Sequence, residues 1–106
     1  MVLQQERLRE ARLQLEEEAA LAFLEVKLAE ENLRLSQQQV VQRQAQLEQS
    51  QKLFARGTVP RYDAIRGEAE LARARQEVLD AERLLQLRRN TLQSLIQMPL
   101  SALEHL

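Results

Sequence analysis

Few residues of this chain have side chains that could do acid–base, nucleophilic or metal chemistry. The sequence has one histidine, His105, and no cysteine, so no second His or Cys is present to complete a zinc site. Glu16, Glu17 and Glu18 form a run of carboxylates, but consecutive residues of a helix point in different directions and these side chains do not converge. The sequence therefore predicts no catalytic residue, no metal site and no cofactor, and we expect His105 to be a solvated residue of the tail.

The composition predicts long helices rather than a globular core. The chain has 106 residues, of which only 3% are aromatic, and Ala, Leu, Glu, Gln and Arg dominate, as in coiled coils. Its net charge of −1 comes from interspersed acids and bases, and the absence of a basic stripe argues against nucleic acid as a partner. No apolar run approaches the roughly 20 residues that span a bilayer. The first residues do not resemble a secretory signal, so we expect either a cytosolic chain or an internal piece of a larger protein.

One strong break interrupts the helical pattern, at residues 57–63. Gly57 can take the left-handed conformation that ends a helix. Val59 is pushed out of the helical region because a proline follows it, and Pro60 suits the first turn of a new helix. The sequence predicts one domain over residues 1–106: helix one over about 3–55, a tip over 56–60, helix two over about 61–97 ended by Pro99, and a tail over 98–106.

Heptad ladders run into this break from both sides. A period of seven is the signature of helices that pack along a coiled-coil seam. The apolar ladder comprises Val26, Leu33, Val40, Leu47 and Phe54 in helix one, and Ala64, Leu71, Val78, Leu85 and Leu92 in helix two. A small-residue ladder follows three positions later, at Ala29, Ser36 and Ser50, and at Gly67, Ala74 and Ala81. The two apolar ladders mirror each other about residue 59, inside the predicted turn, so we predict an all-α fold: a long antiparallel two-helix coiled-coil hairpin.

Apolar residues also lie away from the predicted seam. Leu21, Leu28 and Leu35 fall roughly 200° around helix one from the main ladder, and Ile65, Ala72 and Leu79 widen the stripe of helix two by roughly 100°. A lone hairpin would bury one face of each helix and solvate the rest. We therefore expect these helices to have additional neighbours from other hairpins or subunits.

Three polar features have competing interpretations. Arg43 and Arg88 occupy small-residue positions; we favour snorkelling, with the stem packed and the guanidinium in water, over an interhelical ion pair or a gate contact. The Gln-rich residues 37–51 are interpreted as a polar helix face, since the heptad continues through them. The turn is either a simple connector or a docking tip, because exposed loops held by rigid elements often carry binding. Val59 and Tyr62, expected to be exposed apolar groups there, favour docking.

The segment 52–72, KLFARGTVPRYDAIRGEAELA, resembles the periplasmic hairpin of the TolC-like outer-membrane efflux family. That family shows an aromatic residue, a turn of Gly and a hydrophobe, an aromatic residue or Leu before Asp, and then an Ala-rich helix. Residues 20–26 resemble the start of the family's first long helix, and residues 92–100 its Leu-rich, Pro-containing exit. Gln97 stands where the family usually has Gly, and Gly67 where Ala is common. Family members are several times longer, with two repeats, barrel strands and a signal peptide, so the likeness is to one hairpin.

The resemblance implies a passive conduit. Family members are homotrimers whose hairpins form an α-helical tunnel across the periplasm, which carries substrates from an inner-membrane pump outward. In the family, hairpin tips meet a periplasmic adaptor protein. The resemblance therefore assigns adaptor binding in this chain to Gly57, Thr58, Val59, Pro60, Arg61 and Asp63. This chain would be a periplasmic portion of an outer-membrane protein and would reach the membrane only through segments it does not contain.

Two alternatives compete with the conduit. A periplasmic adaptor hairpin is also an antiparallel coiled coil, but adaptors carry flanking lipoyl-like β segments and a Ser-ended tip motif, and Pro60 stands in the expected Ser position. A generic coiled-coil oligomerisation module would need only the helices and their apolar faces. An enzyme is disfavoured because no nucleophile, base and orienting group come together.

Overall fold

The computed structural model describes the backbone of residues 2–104 and the side chains of residues 2–97. Two α-helices account for nearly all of it: α1 spans Val2–Ala55 and α2 spans Arg61–Glu104. The described residues contain no β-strand. The two helices pack against each other as a helical hairpin, which confirms the predicted all-α class. His105, predicted to be solvated, lies outside the described residues.

The end of α1 is a Schellman motif centred on Gly57. The amide of Thr58 donates to the Leu53 carbonyl at 3.0 Å and the amide of Gly57 donates to the Phe54 carbonyl at 2.9 Å. This pair of bonds satisfies carbonyls that the helix leaves without partners, and it requires a left-handed residue. Gly57 supplies that residue, with φ of +78°. The predicted turn at 56–60 is therefore confirmed together with its physical cause.

The start of α2 also follows from local sequence. Pro60 precedes the first helical residue, Arg61, and its carbonyl accepts a hydrogen bond from the Asp63 amide at 3.1 Å. Asp63 is the acidic residue of the first turn, where a carboxylate favours the positive end of the helix dipole.

The predicted end of α2 was wrong. The helix continues past Gln97 and through Pro99 to Glu104, so residues 98–104 are helical rather than a tail. Proline removes one amide donor and crowds the preceding turn, which kinks or ends many helices. Here the residues after Pro99 are Leu, Ser, Ala, Leu and Glu, mostly good helix formers, and the helix resumes its hydrogen bonding beyond the gap.

The chain divides into two compact units. The first contains Met1–Ala29 and Leu85–Leu106, and its buried apolar residues are Ala22, Val26, Ala29 and Leu85. The second contains Glu30–Leu84, including the turn, and its buried apolar residues are Leu47, Ala64, Leu71, Ala74 and Ala81. In the second unit, Arg43 reaches Glu70 and Gln44 reaches Arg75 across the helices, as a hairpin that reverses at 56–60 requires.

The buried residues of the described chain lie on the predicted ladders except Ala22, and one predicted ladder position, Phe54, is exposed. Leu33, Val40, Val78 and Leu92 are half-buried, and the remaining predicted seam positions of the apolar ladder are buried except Phe54. Phe54 is 43% exposed, while its neighbour Leu53 is half-buried. In a Schellman motif the residue at the Leu53 position faces the chain that follows the helix, so the turn covers Leu53 and leaves the phenyl ring outside.

Candidate interaction surfaces

The six predicted tip residues lie together at the turn. Gly57, Thr58 and Pro60 are exposed and Val59 is half-buried, so the expectation that Val59 would be exposed was wrong. Arg61 is exposed and Asp63 is half-buried, both in the first turn of α2. The structure thus brings the six residues to one end of the second unit, and their binding of an adaptor stays a prediction.

Two hydrogen bonds attach Thr58 of the tip to the last turn of α1. The Thr58 hydroxyl donates to the Leu53 carbonyl at 2.8 Å, the same carbonyl that accepts the Thr58 amide. Thr58 therefore closes the end of α1 with both its backbone and its side chain. Tyr62, in contrast, is 66% exposed, so the first turn of α2 presents an aromatic side chain to its surroundings.

An ion-pair cluster joins the two helices below the tip. The Arg43 guanidinium lies 3.3 Å from Glu70, and Arg66 donates to the other oxygen of the same carboxylate at 3.3 Å. Arg43 also donates to the Gln46 side chain at 3.1 Å. In the first unit, Arg88 lies 3.3 Å from Glu25 of α1.

These contacts overturn the preferred interpretation of the two arginines. Arg43 and Arg88 make interhelical ion pairs rather than only snorkelling into water, although both side chains keep about two-fifths of their surface exposed. The small-residue ladder leaves room for a long side chain to cross the seam, and the opposing helix carries a carboxylate within reach. The mirror about residue 59 places positions 75 and 30 opposite Arg43 and Arg88. Glu70 and Glu25 each lie five residues before those positions, so the mirror alone does not single them out.

A groove of about 520 Å³ lies beside the tip in the second unit. Gly67 lines this groove, and a Cβ added there would lie 3.1 Å from Cδ1 of Leu47 and 3.6 Å from its Cα. The two helices therefore approach closely at this point. The groove is lined by Arg43, Gln46, Gln49, Ser50, Leu53, Asp63, Arg66, Gly67 and Glu70.

The second unit also contains one perturbed pair on α1. Arg34 donates to both carboxylate oxygens of Glu31, which lies one helical turn before it. This hydrogen bonding lowers the pKa of Glu31 below its ordinary value and raises the pKa of Arg34. Both side chains are more than half exposed, so the pair is a feature of the solvated helix surface and not a buried functional group.

The predicted outer faces are exposed in both units. In the first unit Leu21 and Leu28 are 61% and 70% exposed, and Leu24 on the same side of α1 is 57% exposed. In the second unit Leu35, Ile65 and Leu79 are each about half exposed, and Ala72 is exposed. Leu24 is not among the predicted outer-face residues, although its spacing from Leu21 and Leu28 places it on their face.

The described residues contain neither a metal-binding cluster nor a membrane-spanning helix. Among the described residues no group of three or more His, Cys, Asp or Glu side chains is arranged to hold a metal ion. No helix of the described chain is both long and apolar enough to cross a bilayer. Comparison of the sequence and structure with protein-family models, with curated proteins and with solved structures found no significant match.

Proposed function

We propose that this chain is a hairpin of the periplasmic α-helical tunnel of a TolC-like outer-membrane efflux channel. In that role it forms part of a passive conduit, and the energy for transport comes from an inner-membrane pump. The tip at Gly57, Thr58, Val59, Pro60, Arg61 and Asp63 docks a periplasmic adaptor protein. The tip motif within residues 52–72 points to this particular family, since no related protein supplies a function by similarity.

The observation that carries the proposal is the second apolar face. Leu21, Leu24 and Leu28 lie on α1 away from the buried Ala22 and Val26. A hairpin that works alone has no physical reason to expose a leucine stripe, because each exposed apolar surface favours association. A tunnel wall gives every helix two neighbours, one within its hairpin and one in the next hairpin, and therefore requires such a face.

Site-specific photo-crosslinking tests the adaptor-binding tip. A photoreactive residue replaces Thr58 in the protein expressed in its own host cell, and captured proteins are identified by mass spectrometry. We expect a periplasmic adaptor to be captured from position 58. A photoreactive residue at Gln37, an exposed position of α1 remote in sequence from the turn, is the matched control and captures no adaptor.

The same experiment separates the alternatives. Capture of copies of this chain alone, from both positions, would support a generic oligomerisation module and contradict the docking tip. Capture of an outer-membrane channel protein from position 58 would instead support an adaptor hairpin.

A further inference from the structure

Positive charge is concentrated at the turn. Residues 52–63 contain Lys52, Arg56 and Arg61 but only one acid, Asp63. The segment therefore carries a net charge of +2, and because the whole chain carries −1, the remaining residues carry −3. We define the basic tip as the three cations Lys52, Arg56 and Arg61.

The cations of the basic tip are exposed and make no ion pair within the described residues. Five other arginines are paired with carboxylates: Arg34, Arg43, Arg66, Arg83 and Arg88. Arg9 and Arg12 also make no ion pair within the described residues, so what distinguishes the turn is its local excess of charge, three cations against the single acid Asp63. The basic tip consequently presents uncompensated charge to whatever approaches it.

Helix stability explains only part of this arrangement. Lys52 and Arg56 lie at the C-terminal end of α1, where positive charge interacts favourably with the helix dipole. Arg61 is the first residue of α2, at the positive end of that helix, where a cation is unfavourable. The position of Arg61 therefore costs stability.

We propose that the basic tip binds a carboxylate-bearing protein surface, through ion pairs to Arg56 and Arg61 and apolar contact with Tyr62. The proposal rests on the docking role of the tip given above and specifies the chemistry of its partner. Two of the three cations are arginines, whose planar guanidinium matches a carboxylate with two parallel hydrogen bonds. Tyr62, 66% exposed beside them, supplies the aromatic anchor that is common at protein interfaces.

An anionic membrane fits the basic tip less well. Recognition of anionic lipid headgroups typically uses clusters of about four to eight Lys or Arg, and the basic tip has three with Asp63 beside them. Each cation attracts an anionic lipid surface weakly, and the summed attraction of three cations would give only marginal membrane binding. An acidic protein surface needs fewer cations because shape and apolar contact add to the charge.

A binding titration with matched variants tests the proposal. The purified chain is titrated with fluorescein-labelled poly-L-glutamate at 50 and 300 mM NaCl, with vesicles containing 30% phosphatidylglycerol as a parallel probe. The tip variant carries Arg56→Glu and Arg61→Glu. The control variant carries Arg9→Glu and Arg12→Glu, two exposed arginines of α1 remote in sequence from the turn, so both variants have the same net charge. Helicity by circular dichroism verifies that each variant folds.

We expect the tip variant to bind poly-L-glutamate at least tenfold more weakly than wild type, the control variant to bind within threefold of wild type, and binding to weaken at 300 mM NaCl. Equal weakening in the two variants would overturn the proposal, because net charge alone would then explain it. Vesicle binding that depends on the tip, with no tip dependence for poly-L-glutamate, would also overturn it in favour of a lipid surface.

The two proposals fail separately. Absence of an adaptor among the proteins crosslinked from position 58 contradicts the proposed function and leaves the poly-L-glutamate result to decide the chemistry of the tip. If an adaptor is captured, the tip variant should reduce its capture at least tenfold and the control variant should not. Equal capture by both variants would overturn the carboxylate-binding tip while the conduit proposal stands.

Discussion

At the scale of single residues, Gly57 is required by the backbone rather than by packing. Its φ is +78°, and a Cβ built on it would meet no atom within 4 Å. The cost of replacing it is therefore conformational, since side chains with a Cβ are strained in the left-handed region.

Replacing Gly57 by valine should destabilise the hairpin by about 1–2 kcal/mol, because a β-branched residue is strained at positive φ. Asparagine tolerates this region better, so Gly57→Asn is the control and should cost less than half as much. Urea unfolding followed by circular dichroism at 222 nm measures both. Equal losses for the two variants would show that the left-handed conformation is not what selects Gly57.

Gly67, unlike Gly57, is favoured by packing rather than by backbone conformation, since it lies inside α2 where the helices approach each other. Alanine there gains about 0.8–1.0 kcal/mol in helix propensity, but its Cβ would lie 3.1 Å from Leu47 Cδ1. That atom ends a flexible side chain and can move by a few tenths of an ångström, so we expect Gly67→Ala to change the free energy of unfolding by less than about 1 kcal/mol.

A larger side chain at position 67 should not be accommodated. Gly67→Leu is expected to cost about 1–3 kcal/mol, as overpacking does in well-packed seams. Ala72→Leu, at an exposed position of the same helix, is the matched control and should stay within about 0.5 kcal/mol of wild type. Thermal and urea unfolding compare the two. Stability of Gly67→Leu equal to that of the control would mean that the close approach at Leu47 is absent in solution.

At the scale of helices, the interhelical ion pairs test how much electrostatic attraction contributes to the free energy that holds the two helices together. Arg43 and Glu70 keep 44% and 35% of their side-chain surface exposed, so solvent screens their attraction. In a double-mutant cycle with Arg43→Gln and Glu70→Gln, we expect a coupling energy of about 0.2–1 kcal/mol that decreases in 1 M NaCl. A coupling above 2 kcal/mol, insensitive to salt, would contradict the exposed geometry.

The helices themselves could largely be predicted from the sequence, and the misses have local causes. The heptad period and the break at Gly57 and Pro60 were sufficient to predict two helices and a turn, since both signals are short-range. Phe54 was misplaced because the pattern does not include the Schellman turn that covers Leu53 instead. The predicted end of α2 is too early because a proline ends many helices but does not end this one, which continues to Glu104.

The candidate site was less predictable than the fold. The six tip residues lie together because they are close in the chain, which the sequence shows. The exposure of Leu21, Leu28 and Ile65 follows from helical spacing. The ion-pair partners of Arg43 and Arg88 do not follow from position or spacing within one helix. Choosing between solvent and a carboxylate on the facing helix requires the register of the two helices to within one residue. No pattern within one helix contains that register.

At the scale of the whole molecule, the exposed apolar stripes predict self-association of this chain. Leu21, Leu24 and Leu28 contribute little to the seam within the hairpin, because each remains more than half exposed. Their burial between copies would gain roughly 25 cal/mol for each Å² of apolar surface removed from water. Substituting them should therefore weaken association without unfolding the helices.

Sedimentation velocity at 5 to 200 µM measures this directly. Wild type should shift toward dimers or trimers as concentration rises, and the variant Leu21→Gln/Leu28→Gln should remain monomeric with unchanged helicity. Val41→Gln is the control: Val41 is 69% exposed but stands alone among glutamines on the polar face of α1, so its loss should leave association intact. A wild type that stays monomeric over this range would remove the physical argument for neighbouring copies of this chain, because the leucine stripe would then be stable in water without them.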